Sequence, residues 1–190
     1  MIREIVEIGH PTLREMAQEV PVDEIPSKWV QELIDDLIET KRFANGAGLA
    51  APQVAEPWRI FVAEVGNNPR YPYKPPIPLT VVINPQISFN TEDRMSVYEG
   101  CLSIPNLRGI VNRCPDVRVE GRDQNGDLVD KTVRGISAGT FQHEDDHLNG
   151  ILYTDLVTDA KSLCTWGEFE RRYEGDFRES VQEIEARYVG

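Results

Sequence analysis

Apolar residues recur at helical spacing between Ser27 and Phe43, at Trp29, Val30, Leu33, Ile34, Leu37 and Ile38. Steps of three and four put them on one face, which predicts a helix that buries that face. Pro26 and Ser27 suit its entry, and Asn45 and Gly46 its end. Trp58–Val65 then reads as a strand, and Leu79–Phe89 as a second strand interrupted at Pro85. The proline-rich residues 66–78 between them read as an exposed loop. Residues 107–134 read as a meander whose last hairpin turns at Gln124-Asn125-Gly126. A short helix is expected from about Ser137 to Asn149, with Gly150 as its left-handed cap. Phe169, Tyr173, Phe177, Val181, Ile184 and Tyr188 form a last apolar stripe, predicting one C-terminal helix that docks despite Gly175. Helices and hairpin-linked strands without βαβ alternation indicate an α+β fold with antiparallel sheets.

Composition narrows the class. At 190 residues and 40% hydrophobic, the chain suits one domain over 1–190, with a helical tail from about 162 to 190. Its 20 basic and 32 acidic residues leave a net charge of −12, which argues against a phosphate-gripping surface and sequence-specific nucleic-acid binding. No apolar run reaches membrane-span length, and the first twenty residues carry charges throughout, unlike a signal peptide. Three cysteines make no disulfide framework, so a reducing, cytoplasmic setting is expected.

The chemistry concentrates in Gln142-His143-Glu144-Asp145-Asp146-His147, which holds two of the three histidines. His143 and His147 are four apart, so on a helix they project from one face and suit one divalent metal. Glu144 beside them is placed to act as general base on a water held there. A catalytic site of this kind takes a third protein ligand and keeps one position open. Cys101, in Glu99-Gly100-Cys101-Leu102-Ser103, is a candidate soft ligand. Taken alone it reads equally as a buried structural cysteine. Gly46-Ala47-Gly48-Leu49-Ala50-Ala51-Pro52-Gln53 matches the dinucleotide pattern G-x-G-x-x-A, but a helix precedes it and Pro52 follows. Its small residues instead indicate close backbone approach, with the Gln53 amide as a donor.

Together the three stretches closely resemble the peptide deformylase family, whose signatures are G-x-G-L-A-A-x-Q, E-G-C-L-S and Q-H-E-x-D-H. They stand in family order. The resemblance extends to Gly9-His10-Pro11, Leu13-Arg14, Leu107-Arg108-Gly109 and Leu148-Asn149-Gly150, covering about residues 5–156. Asp145 fills a variable position and should point nearly opposite the metal face. The acidic tail beyond residue 162 matches no family pattern.

The resemblance implies antiparallel sheets packed around a central helix that bears the metal motif, flanked by an N-terminal and a C-terminal helix. It implies removal of the formyl group from N-terminal formylmethionine, with release of formate. It implies that Cys101, His143 and His147 hold one divalent ion, Fe²⁺ in the cell and Zn²⁺, Ni²⁺ or Co²⁺ as replacements. Glu144 would be the base, with Gln53 and the Leu102 backbone N–H as oxyanion donors. Gly48 and Gly100 would receive an extended peptide. Val97, Ile136, Gly139 and Thr140 would wall the methionine pocket, made roomier by Gly139. Arg108 would lie near the groove mouth, or else be a solvated surface arginine. Asp146 reads as a supporting carboxylate rather than a ligand. The partners implied are N-formylmethionyl peptides and nascent chains, with at most a transient ribosome contact. Two competing readings are a zinc endopeptidase with Glu168 or Glu170 as third ligand, and a catalytically silent peptide binder.

Overall fold

The computed structural model describes residues 1–66 and 71–189. The first apolar stripe forms helix α1 (Lys28–Phe43), which buries Val30, Leu33, Ile34 and Leu37. These side chains meet one face of a five-stranded antiparallel sheet. Its strands are β1 (Gly48–Ala50), β2 (Ile60–Val65), β3 (Ile77–Phe89), β6 (Asp116–Arg122) and β7 (Leu128–Arg134), in the order β1-β2-β3-β6-β7. Alternation along β2 divides the core. Ile60 and Val62 pack with α1, while Phe61, Ala63 and Val65 join the larger cluster on the other face. Helix α2 (Gly135–Leu148) lies in that larger cluster. A three-stranded sheet of β4 (Met95–Cys101), β5 (Ile104–Arg113) and β8 (Cys164–Thr165) covers it. With neighbours all round, α2 buries Gln142, Glu144 and His147 along with Ile136, Phe141 and Leu148.

Several expectations are corrected. The strand around Pro85 is not interrupted, because β3 runs through from Ile77 to Phe89. Asn84 takes a left-handed φ of 52°, and the pairing with β6 shifts register between Ile83 and Gln86. Pro85 therefore sits in a bulge, where its missing N–H is not needed. The Asn84 amide also bridges both backbone groups of Val20 at 2.8–2.9 Å, anchoring the bulge. Residues 107–134 are not one meander. β5 pairs with β4, whereas the hairpin of β6 and β7 belongs to the larger sheet. Of the predicted loop at 66–78, residues 67–70 lie outside the described residues, and Ile77 and Pro78 already belong to β3.

The C-terminal stripe forms two helices, α3 (Trp166–Arg172) and α4 (Glu174–Tyr188), instead of one. The break at Tyr173 sends Phe169 and Phe177 to the same ring, Tyr98, at centroid distances of 5.1 and 5.7 Å. Phe169, Phe177 and Val181 are buried in the main core, so the tail is part of the fold. Glu185 of α4 accepts a hydrogen bond from the Ile136 N–H at 2.7 Å. Since α2 has no side-chain cap of its own, this carboxylate satisfies one of its free N–H groups and complements its dipole.

Candidate active site

Helix α2 turns His143 and His147 toward β4, where Cys101 closes the strand. One candidate ligand atom from each of these three residues lies within 4.8 Å of the other two. Cys101 Sγ is 3.2 Å from His147 Nε2. The sulfur also accepts from the Ser103 backbone N–H at 3.4 Å and from Gln53 Nε2 at 3.5 Å. Thiolate and imidazole donors in this compass suit a tetrahedral or similar divalent site with room for a non-protein ligand.

The donors are held by a chain of carboxylates and one arginine. His143 Nδ1 is 2.8 Å from Glu99 Oε2, which leaves its Nε2 for a ligand. Glu99 accepts two hydrogen bonds from Arg113, at 2.7 and 2.9 Å, and Arg113 donates a third, at 2.6 Å, to Asp146. Burial alone would raise the Glu99 carboxyl, but Arg113 and His143 hold it well below the ordinary range. Asp146 thus braces Arg113 behind the site. Asp145 is held by Arg59, just before β2, and by Asn149 at the end of α2, at 3.4 and 3.1 Å.

Glu144 is buried, and its Oε2 has no hydrogen-bond partner among the described residues. Burial pushes its carboxyl up to about 7. Gln53 is oriented from the opposite side. Its Oε1 accepts from the Ala50 N–H at 2.9 Å, so its Nε2 points toward Cys101 and Ser103. Leu102 lies in the turn between β4 and β5 and lines the same cavity.

That cavity measures about 50 Å³ and gathers Gly48, Gly100, Val97, Ile136, Gly139 and Thr140 beside the site. All of the site residues expected from sequence therefore meet in one place. Arg108 lines the cavity and is 1% exposed, so it is not a solvated surface arginine. Its guanidinium lies 4.5 and 3.9 Å from the ring centres of Trp166 and Phe169, and it donates to the Tyr98 carbonyl and the Tyr73 hydroxyl. The tail covers it. Gly139 lines the same cavity. A Cβ there would meet Met95 Cε at 3.5 Å, in ordinary contact, and Lys74 reaches in to donate to Thr140 Oγ1.

Glu99, Arg113 and Lys74 were not singled out from sequence. The place of Glu99 two residues before Cys101 was a usable signal. Arg113 and Lys74 enter through strand register and a loop, which leave no local signature. Glu168 and Glu170 are engaged elsewhere, with Arg172 and with Trp166 Nε1. Neither approaches the histidines as an endopeptidase ligand would.

The family model for polypeptide deformylase matches residues 2–162. Peptide deformylase 2 of Nostoc sp. is 42% identical over 166 residues, spanning 87% of this chain and 92% of the relative. A peptide deformylase of Leptospira biflexa is 40% identical over 161 residues, 84% of this chain and 90% of its own length. The class I type b peptide deformylase of Acinetobacter baumannii, solved with Met-Ala-Ser bound, superposes with a TM-score of 0.79. It is 35% identical and covers 83% of this chain and 99% of its own. The enzyme from Synechococcus elongatus, solved with actinonin, gives a TM-score of 0.73 at 28% identity. That match covers 97% of this chain and 85% of the neighbour. Sequence, fold and the Cys-His-His cluster agree, and the chain belongs to the polypeptide deformylase family, metal-dependent hydrolases that release formate from N-terminal formylmethionine.

Proposed function

We propose that Cys101, His143 and His147 hold one divalent ion, Fe²⁺ in the cell, with Zn²⁺, Ni²⁺ or Co²⁺ as substitutes in purified protein. When bound, the ion supplies Lewis acidity toward water and the formyl carbonyl. Glu144, with one unpartnered oxygen in the cavity, takes the proton of the attacking water and returns it to the departing amine. Gln53 Nε2 and the Leu102 backbone N–H donate to the formyl oxygen as negative charge develops.

The two sheets supply the peptide groove. β1 is an edge of the larger sheet and β4 an edge of the smaller, and both border the cavity. An extended peptide adds between them along Gly48 and Gly100, where missing side chains let backbones approach. Its first side chain enters between Val97, Ile136, Gly139 and Thr140. Arg108 acts from beneath the tail, shaping the groove wall. The Acinetobacter baumannii neighbour, solved with Met-Ala-Ser bound, supports a peptide as the ligand.

Substrates on this reading are N-formylmethionyl peptides and nascent chains in the cytoplasm. Among the described residues no helix is long and apolar enough to cross a membrane. Ribosome contact is transient and independent of the tail, whose apolar stripe is turned inward. The observation that carries the proposal is the three ligand atoms within 4.8 Å beside the free Glu144 oxygen. Anaerobically purified protein should contain one metal ion per chain and release formate from formyl-Met-Ala-Ser. Metal-loaded protein that releases none would refute it.

A further inference from the structure

Lys74 lines the same cavity, and no step above uses its ammonium. It sits on the loop between β2 and β3, and its Nζ donates to Thr140 Oγ1 at 2.8 Å. The nitrogen also lies 5.0 Å from the centre of the Tyr71 ring. Thr140 is buried on α2, one turn before Glu144, and lines the same cavity as Val97, Ile136 and Gly139. An ammonium carries three N–H donors. Among the described residues, Thr140 is its one hydrogen-bond acceptor, and no carboxylate makes an ion pair with it. Glu99 is engaged by Arg113 and His143. Burial pulls the Lys74 amine down to about 8, more than the distant carboxylates make good. The pocket therefore has spare donor capacity where a substrate side chain would end. A methionine thioether is a weak acceptor. Its sulfoxide carries a strongly accepting oxygen on a side chain of nearly the same length.

Resting on the reading of this cavity as the seat of the first substrate side chain, we propose that Lys74 and Thr140 adapt it to an oxygen-bearing side chain. The chain then deformylates peptides that begin with formyl-methionine sulfoxide as well as formylmethionine. The sulfoxide oxygen accepts from Lys74 Nζ and from the Thr140 hydroxyl. The chemistry is unchanged: the formyl C–N bond breaks, water supplies the new formate oxygen, and the amine takes a proton. The sulfoxide is neither oxidised nor reduced.

The test is kcat/KM for formyl-Met-Ala-Ser and for its methionine-sulfoxide counterpart, with metal-loaded parent, Lys74→Met and Lys74→Arg. A ratio taken within each protein cancels the amount of folded, loaded enzyme. The sulfoxide-to-methionine ratio should fall at least about tenfold in Lys74→Met, as expected for loss of a charge-assisted hydrogen bond, and hold within about threefold in Lys74→Arg. Equal ratios in the parent and Lys74→Met would overturn the inference while leaving the deformylase reading intact. A loaded parent inactive on both peptides would overturn that reading, and this inference with it.

Discussion

Gly48 and Glu144 compete for one space: a Cβ on Gly48 would lie 2.6 Å from Glu144 Cδ. The glycine is thus required by the side chain across from it, quite apart from the peptide groove proposed along it. Gly48→Ala should displace Glu144 and lower kcat by about 10²-fold or more, comparable to losing a positioned general base. Formate release at saturating substrate measures this directly. Unchanged kcat would show that the Glu144 position carries no catalytic weight.

Gln53 is fixed at both ends of its amide, by the Ala50 N–H and by the groups around Cys101. Gln53→Ala should cost about 10²-fold in kcat, or ~3 kcal/mol of transition-state stabilisation. It also strips a buried N–H of its acceptor, which should cost about 1–3 kcal/mol of stability. Kinetics and urea unfolding on the same variant separate the two effects.

Phe169 joins the tail to the catalytic half. Its ring packs on Arg108 and Tyr98 and is 1% exposed. Phe169→Ala should destabilise by about 3–5 kcal/mol and loosen Arg108, raising KM more than it lowers kcat. A tail that merely drapes over the surface would give under about 1 kcal/mol and no kinetic change.

Glu64 sets a pH dependence of stability. Hydrogen bonds from Arg42 and Lys41, at 2.7–2.9 Å, overcome burial and hold its carboxyl down at about 2, against an ordinary 4.5. Its folded value lies below its unfolded one, so its contribution is full above pH 4.5 and fades as pH falls toward 2. Glu64→Gln should therefore be about 1–3 kcal/mol less stable near pH 7, with the gap closing between pH 4.5 and 2. Chemical unfolding across that range checks it. A gap constant with pH would assign the effect to packing.

The parts legible in the sequence were those fixed over short spans. Val30, Leu33 and Leu37 declared the α1 face, and His143 and His147 declared a shared ligand face because one helical turn separates them. Asn125-Gly126 declared the β6–β7 hairpin. What stayed hidden depends on contacts between distant segments. Glu99 reaches His143 across 44 positions, and Arg113 reaches Asp146 across 33. Arg108 looked free to be a surface residue because Trp166 and Phe169, which enclose it, come from a tail beyond the family motifs. Pro85 argued for a strand break, but the left-handed Asn84 beside it and the anchor to Val20 convert the break into a bulge.

The central claim is that Glu144 moves protons beside an ion it does not help to bind. Glu144→Gln keeps the size and nearly the shape of the side chain and removes its basicity. Metal content per chain and formate release from formyl-Met-Ala-Ser, measured on parent and variant purified side by side, test it most directly. The prediction is one ion per chain in both proteins, with formate release reduced about 10²–10⁴-fold in the variant. Near-parental release by metal-loaded Glu144→Gln would contradict it.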